Sequence, residues 1–299
     1  MNSKQLIARI IYITSILFCL SACKKSPTGP EGSQGIQGIG GLQGSVTIDH
    51  NAANINAVPT QWIDSAKSRL HIAYGHTSHG SQLIDGMSGL ASWKGSRYNF
   101  NNGGTGGVLD LHDYAMGGDC GYYPDWENNT RAYLNNPANA DVNVIIWSWC
   151  GQVSSQTAQS MIDNYLAPMT QLESDFPNVK FVYMTGHLDG SGSAGNLNKR
   201  NDQIRAYCQT NKKVLFDFAD IESYDPDGFV NYMALNANDN CDYDSSGVTR
   251  NWAQRWQNTH TLNSDWYNCS AAHSQPLNAN RKAFAAWWLW ARLAGWTGS

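Results

Sequence analysis

The sequence predicts an α/β fold with a mostly parallel, doubly wound sheet and helices on both faces. Two observations lead to this prediction. Apolar runs rich in β-branched and aromatic residues indicate buried strands over 70–74, 142–149, 179–184 and 213–218. Segments with helical spacing of their apolar residues separate these runs, and that alternation is typical of βαβ units.

The helices are predicted from the same spacing. A helix entered through Pro59 leads into the first strand, and a second begins at Gln82, where apolar residues return at helical intervals. The segment 98–123 is rich in glycine and predicts loop with little regular structure. Further helices are expected over 126–134, 157–172, 197–208 and 278–293.

The N-terminal residues are predicted to be a processing segment. Lys4 and Arg9 precede a short apolar run, which ends in Leu-Ser-Ala-Cys at Cys23. A charged start, a short apolar core and small residues are typical of a secretory signal. The ending resembles the lipobox of bacterial lipoproteins, which implies a signal peptide over 1–22 and a lipid on the Cys23 sulfur. We therefore expect an exported lipoprotein anchored to the membrane at the cell envelope, with an ordinary secretory signal as the alternative.

Residues 23–45 are predicted to be a linker. Glycine occupies every third position from Gly29 to Gly44, which is a short collagen-like Gly-X-Y repeat. So few triplets favour a flexible spacer, and trimerisation is the alternative. The remaining residues, 46–299, have the length of one α/β domain, which we expect to be catalytic.

Composition limits the choice of partner. The formal net charge is −4, so nothing favours a nucleic acid as partner. The chain has 12 Trp and 14 Tyr against 20 Lys plus Arg, and flat rings stack on sugar faces. This abundance suits carbohydrate binding, although for any single Trp a buried position is the expected one. Composition does not predict the oligomeric state.

Five cysteines follow the anchor candidate. An exported protein permits disulfides, and an odd number leaves at least one free thiol. We expect Cys241 and Cys269 to pair first, because both lie in the polar stretch before the last helix. Cys120 with Cys150 is the second expected pair, and Cys208 is expected to be a buried helix residue.

Polar residues follow each predicted strand. Ser78 lies in a tight, glycine-punctuated turn after the first strand, where a side chain is exposed at the carboxyl edge of the sheet. The later strands lead into Cys150-Gly-Gln, Thr185-Gly-His and Asp217-Phe-Ala-Asp. We expect these loops to line one crevice with Ser78, and Trp149 and His187 to contact the substrate.

Ser78 is the predicted nucleophile. A serine hydroxyl needs a base to take its proton, and histidine is the usual base near neutral pH. His273, in the loop before the last helix, is the predicted base. His76 and His79 are too close to Ser78 on a tight turn to reach it, so we expect them to stabilise the turn or line the substrate. A metal at His76-x-x-His79 lacks an evident third ligand, so no metal or cofactor is expected.

Two motifs carry a resemblance to a known family. Gly75-His-Thr-Ser78-x-Gly80 followed by a helix resembles the first block of the SGNH (GDSL-like) hydrolase superfamily. The segment 273–278, where His precedes a Leu-Asn pair, resembles the last block. The resemblance implies a three-layer α/β/α sandwich and an esterase or related acyl hydrolase, with Ser78 as nucleophile and His273 as base.

The same resemblance implies an oxyanion hole made by a glycine amide and an Asn side chain. Gly117 or Gly118 lies in the interval expected for the glycine. At the second position this chain has Gln152, whose longer carboxamide could also donate to an oxyanion.

The family's acid position, three residues before the histidine, is Ser270 here. Asp265 is the nearest upstream carboxylate and could reach His273 if a Cys241–Cys269 bridge folded the loop back. A backbone carbonyl is the alternative orienting group. The oxygen-rich segment 239–247 lacks EF-hand spacing and is interpreted as a polar surface loop.

The predicted function is that of an exported serine esterase that removes acyl groups, such as acetyl, from a carbohydrate. A non-catalytic glycan-binding or surface-scaffold protein on the same fold is the alternative, since one fold hosts many functions. A glycosidase is a third hypothesis, which would require strand-end carboxylates such as Asp189, Asp217 and Asp220 to act as a pair across a sugar.

Overall fold

A computed structural model describes residues 44–298 of the chain. The predicted signal peptide, Cys23 and nearly all of the predicted Gly-X-Y linker lie outside the described residues. Within them, the predicted α/β class is confirmed: an all-parallel sheet is flanked by helices in a three-layer α/β/α sandwich.

The central sheet has seven strands in the order β1-β7-β6-β5-β2-β4-β3. Every neighbouring pair is parallel, and a separate antiparallel hairpin, β8–β9, follows. The strands are β1 Val46–Ile48, β2 His71–Gly75, β3 Phe100–Asn101, β4 Leu109–His112, β5 Val144–Trp147, β6 Lys180–Met184, β7 Val214–Phe216, β8 Asp242–Ser245 and β9 Val248–Asn251.

The described α-helices are α1 Thr60–Arg69, α2 Ser81–Lys94, α3 Asp125–Leu134, α4 Ala158–Met161, α5 Ala167–Asp175, α6 Asn196–Thr210, α7 Phe218–Ile221, α8 Trp252–Thr259 and α9 Pro276–Leu293. A π-helical segment, Ile162–Leu166, joins α4 to α5. Helix α9 packs against α1 and α2, while α3 packs against α5 and α4 against α6. None of the helices in residues 44–298 is long and apolar enough to cross a membrane.

The strand order creates a topological switch point between β2 and β5. From β2 the chain first builds the β4 side of the sheet, and it then crosses to β5 and continues through β6 to β7. In open parallel sheets, ligands bind at the carboxyl ends of the two strands that flank such a point. The turn after β2 carries Ser78, and the segment after β5 carries Cys150.

The long predicted strands and helices are all present, but short elements were missed. The segment 98–123, predicted as loop, contains β3 and β4, and β4 pairs directly with β2. The segment predicted as a polar surface loop forms β8 of the hairpin, which turns through Ser246 and Gly247 at positive φ. These strands have two to four residues, too few for their periodicity to be recognised.

Candidate active site

The turn that presents Ser78 is held by close backbone packing. Strand β2 ends at Gly75, where an added Cβ would lie 2.4 Å from the Trp147 ring. A single 3₁₀ turn, Ser78–Gly80, then leads into α2. At Gly80 a Cβ would lie 2.2 Å from the Ser148 hydroxyl. Because both glycines lie against the neighbouring strand β5 or its end, the turn is packed directly onto the β2–β5 switch point.

Ser78 is half-buried at this point. Its Oγ lies 3.6 Å from Cys150 Sγ, and within residues 44–298 no histidine nitrogen is in hydrogen-bond range of the hydroxyl. The structure therefore brings Ser78 next to the end of β5, as the crevice prediction requires, but not into direct contact with a base.

His273 reaches the same region from the loop before α9. Its ring is exposed and stacks on the His79 ring, with centroids 4.5 Å apart and planes at 19°. The backbone of His273 has φ 61°, in the left-handed region. Non-glycine residues in this region are uncommon and concentrate at functional sites. The predicted base is thus beside the Ser78 turn, although it makes no hydrogen bond to Ser78 Oγ.

A thiol, an imidazole and a carboxylate form a second connected set at this edge of the sheet. Cys150 Sγ lies 3.5 Å from His79 Nδ1, and His79 Nε2 lies 3.0 Å from Asp239 Oδ2. A carboxylate accepts from Nε2–H, so this arrangement leaves the Nδ1 lone pair facing the thiol. The order nucleophile, base and orienting acid is that of a catalytic triad.

Burial and hydrogen bonding shift the pKa values of His79 and Asp239. Burial lowers the pKa of His79 below the ordinary histidine value, and the hydrogen bond to Asp239 opposes this shift only in part. For Asp239, burial raises the pKa, but the His79 hydrogen bond and the neighbouring histidine charges lower it by more. The favoured state at neutral pH is therefore a neutral imidazole beside an ionised carboxylate.

His187 completes the cluster. Its ring stacks on His79 with centroids 3.7 Å apart and planes at 2°, while its Nδ1 hydrogen-bonds the Leu188 carbonyl at 2.8 Å. His79, His187 and Asp239 each offer one ligand-type atom within 4.8 Å of the others. An imidazole binds a metal in its ring plane, however, and two stacked planes cannot both contain one ion. Metal binding would require one ring to rotate, so the arrangement as it stands is better suited to proton transfer.

The predicted acid, Asp265, lies elsewhere. Its Oδ2 accepts a hydrogen bond from the Thr261 amide at 2.8 Å, and its own amide donates to the Thr261 carbonyl at 2.9 Å. These bonds close an exposed turn on itself, and no hydrogen bond links Asp265 to His273 in the part of the chain that the structure describes. The acid that the structure does supply, Asp239, belongs to His79.

The predicted Cys241–Cys269 disulfide is wrong: all five cysteines between 44 and 298 are free. Cys241 Sγ lies 3.6 Å from the Ser274 hydroxyl, whereas Cys269 Sγ accepts from the Asn280 amide at 3.4 Å. The second expected pair, between Cys120 and Cys150, is wrong as well. The Cys120 thiol donates to the Ser148 carbonyl at 3.1 Å.

The proposed oxyanion donors lie on two segments: Gly118 on the loop after β4, and Gln152 at the start of the 3₁₀ turn after β5. Gly118 is exposed at φ 87°, and its amide makes no hydrogen bond within residues 44–298. The Gln152 amide nitrogen donates to Asp119 Oδ2 at 3.3 Å, and its oxygen is buried without a partner. Asp119 also accepts from the Thr77 hydroxyl at 2.9 Å, which ties this loop to the Ser78 turn. In this arrangement the Gly118 amide makes no hydrogen bond to the described part of the chain, whereas the Gln152 amide nitrogen is held by Asp119.

Besides the buried His79, two further residues expected to contact substrate lie in the interior. His76 is buried, with Nε2 2.6 Å from Asp113 Oδ1. Trp149 is buried, and its indole donates to the Met184 carbonyl at 3.0 Å. Neither side chain is accessible to a substrate. His76 and Trp149 therefore pack beneath the site and do not contact a ligand.

A buried ion pair anchors the loops that carry the site. Lys282 Nζ on α9 lies 2.7 Å from Glu222 Oε2, and both side chains are almost fully buried. Glu222 also accepts from the Leu188 amide, next to His187. Burial lowers the pKa of Lys282, and the contact with Glu222 opposes this shift. The pair thereby fixes the His187 loop to α9.

The same network fixes the turn that carries His273. Gln82 on α2 contacts Lys282 and donates to the Ala272 carbonyl at 2.5 Å. On the other side of the turn, Asn278 donates to the Ser274 hydroxyl at 2.8 Å. Both neighbours of His273 are therefore anchored to buried polar groups.

Comparisons with known proteins do not assign the chain to a family. No protein-family model matches the chain, and no curated protein matches it. The function is therefore argued from the geometry of the site.

Proposed function

We propose that this chain is an acyl hydrolase that cleaves esters through a covalent intermediate on Ser78, with His273 as the base. The observation that carries the proposal is the presentation of His273. An exposed imidazole in a left-handed turn is anchored on both sides to buried polar groups. It lies beside a serine at the topological switch point, where open parallel sheets bind their ligands.

In the proposed reaction, Ser78 Oγ attacks the ester carbonyl carbon while His273 takes the hydroxyl proton. His273 then returns this proton to the leaving alcohol, and water releases the acyl group in a second round. Hydrogen bonds between catalytic groups are often long in the free enzyme and tighten when substrate binds. The Gly118 amide is free to stabilise the oxyanion, and the second N–H of the Gln152 carboxamide can donate while the first remains bound to Asp119.

The proposed substrate is an acylated carbohydrate. Three exposed tyrosines, Tyr114, Tyr122 and Tyr123, lie on the loop beside the Ser78 turn. The His76–Asp113 and Thr77–Asp119 contacts hold this loop against the turn. Tyrosine offers a flat apolar ring and a polar hydroxyl, which suits stacking on a sugar.

The resemblance to the SGNH hydrolases supports the same proposal, because the two motifs that carry it place Ser78 and His273 in these roles. The proposed setting is the cell envelope, with the protein held by a lipid on Cys23. A Cys23→Ser variant should then move from the membrane fraction to the soluble fraction, and its retention with the membrane would contradict the anchor.

The hydrolase proposal is tested with a short-chain aryl acetate and an acetylated oligosaccharide. We expect Ser78→Ala to lower kcat/KM by at least about a thousandfold, and His273→Ala by about a hundredfold or more. Ser92→Ala is the matched control, because Ser92 is exposed on α2 and bonds only within its helix. Equal rates in the wild type and Ser78→Ala would refute the nucleophile. Binding of the oligosaccharide without any hydrolysis by the wild type would favour the non-catalytic glycan-binding alternative.

A further inference from the structure

The proposed hydrolase mechanism assigns no chemical role to three groups of the site that contact one another. Cys150, His79 and Asp239 form a continuous chain of contacts at 3.5 and 3.0 Å, yet neither Ser78 nor His273 needs them. Cys150 differs from the other four described cysteines, because it alone contacts an imidazole nitrogen. A base paired with a carboxylate is the arrangement that activates a thiol.

We propose that Cys150, His79 and Asp239 are a second nucleophilic centre, which accepts acyl groups from esters or thioesters as a thioester on Cys150. The nature of the acyl donor rests on the proposed hydrolase function, whereas the reactivity of the thiol does not.

The proton arrangement supports this assignment. Asp239 accepts from His79 Nε2–H, so Nδ1 is the acceptor that faces the thiol. His79 is buried and stacked on both His187 and His273, in surroundings that favour its neutral form. A neutral imidazole can take the thiol proton, whereas an imidazolium cannot. Asp239 then stabilises the imidazolium that forms.

The position of Cys150 supports it as well. Ser78 Oγ and Cys150 Sγ are 3.6 Å apart, on either side of the switch point. An ester carbonyl placed for attack by Ser78 therefore lies close to the thiol too. Cys150 is half-buried, so a small electrophile can approach it, in contrast to the fully buried Cys120 and Cys208.

Acyl transfer to Cys150 requires no reactant besides the ester. The thiol proton passes to His79 Nδ1 as the sulfur attacks the carbonyl carbon, and a carbon–sulfur bond forms. The carbon–oxygen bond of the ester then breaks, and the leaving alcohol takes the proton back from His79. The product is an acyl thioester on Cys150, which water cleaves slowly, so that it accumulates and Ser78 still sets the rate of ester hydrolysis.

The reactivity of the thiol is tested by alkylating the folded protein with limiting iodoacetamide and measuring each cysteine peptide by mass spectrometry. Cys269 is the internal control, because it is also half-buried but burial raises its pKa to about 12. We expect Cys150 to react at least about tenfold faster at pH 7, where an unassisted thiol is only a few per cent ionised. His79→Asn should lower the rate at Cys150 about tenfold and leave that at Cys269 unchanged.

Asp239→Asn should lower the rate at Cys150 by a smaller factor, because it removes the orienting group and not the base. Each variant is compared with the wild type by thermal unfolding. Should a variant fail to fold, the ratio of Cys150 to Cys269 in the wild type still decides the question. Equal rates at the two cysteines, or a Cys150 rate that His79→Asn does not change, would overturn the proposal.

Acyl transfer is tested by mixing the Ser78→Ala variant with an aryl acetate. One acetyl group should appear on the Cys150 peptide and be removed by neutral hydroxylamine, which cleaves thioesters readily. Absence of this adduct would refute Cys150 as an acyl acceptor. A fast-alkylating Cys150 in a wild type that hydrolyses no ester would refute the hydrolase function and retain the activated thiol, so the two failures are distinguishable.

Discussion

Single residues set the shape of the Ser78 turn through their lack of a side chain. Gly75 faces the ring of Trp147, and the indole nitrogen of Trp147 in turn donates to the Thr130 hydroxyl at 2.9 Å. This buried ring cannot move aside without breaking that bond. The position of β2 against β5, and therefore the distance between Ser78 and Cys150, depends on the absence of a methyl group at residue 75.

Gly75→Ala is therefore expected to destabilise the fold by about 1–3 kcal/mol, the usual cost of overpacking a core. Ester hydrolysis should fall with it, because the turn would shift. Gly117→Ala is the control for stability alone, since an added Cβ there meets nothing within 4 Å. Chemical denaturation of both variants measures the free energy of unfolding. An unchanged stability in Gly75→Ala would show that the strands separate easily at this point.

Residue type and local sequence context are enough to predict Ser78 and His273 as site residues, but not Asp239. Ser78 and His273 stand out because each follows a recognisable local pattern. Asp239 does not, because 160 residues separate it from His79 and only the fold brings the two together. The expected partner, Asp265, is closer to His273 in sequence but forms its own turn. Proximity along the chain was thus a poor guide to which carboxylate faces a histidine.

At the scale of elements, a buried charge pair joins α9 to the loops at the carboxyl edge of the sheet. Lys282 and Glu222 have side-chain exposures of 0% and 1%. The Lys282 ammonium also lies 3.7 Å from the centroid of the Phe218 ring. Removing one partner of such a pair leaves a charge buried without compensation, which costs more than the pair itself contributes.

Glu222→Gln is expected to cost about 3–5 kcal/mol of stability, because it leaves the Lys282 charge unpaired. The double variant Glu222→Gln/Lys282→Met should cost less than the sum of the two single variants, which a double-mutant cycle measures by denaturation. Asp64→Asn is the control, because its exposed pair with Arg97 at 3.4 Å should contribute less than about 1 kcal/mol. Additive single effects would show that the two charges do not compensate each other.

At the scale of the whole molecule, the fold class followed from the sequence but the strand order did not. Alternating apolar runs and helices predicted a parallel sheet with two helical faces. The pairing of β4 with β2 was missed, because β4 lies in a glycine-rich segment and its four residues give little periodicity. Groups that follow β2, β5 and β6 do meet at one edge of the sheet, where His79 contacts Cys150 and His187. The loop after β7 forms contacts of its own, in which buried Asp217 pairs with Arg205.

We expect Cys241 and Cys269 to remain free thiols in the folded protein. Cysteines in a domain that is predicted to be exported favour disulfides, yet Cys241 and Cys269 each contact a different group in the fold. Cys241 lies against the Ser274 hydroxyl, and Cys269 against the Asn280 amide. We therefore expect the melting temperature to be the same with and without a reducing agent. Iodoacetamide in denaturant without reductant should label both cysteines completely.

A Cys269→Ser variant provides the matched test. Losing a native disulfide would cost a protein several kcal/mol, typically about 2–5, whereas losing a weak thiol contact should cost little more than about 1 kcal/mol. Labelling of Cys241 and Cys269 only after reduction, together with a large loss of stability in the variant, would show that the protein closes this bridge. Two free thiols instead mean that the loop carrying His273 is held by the buried Lys282–Glu222 network and its hydrogen bonds.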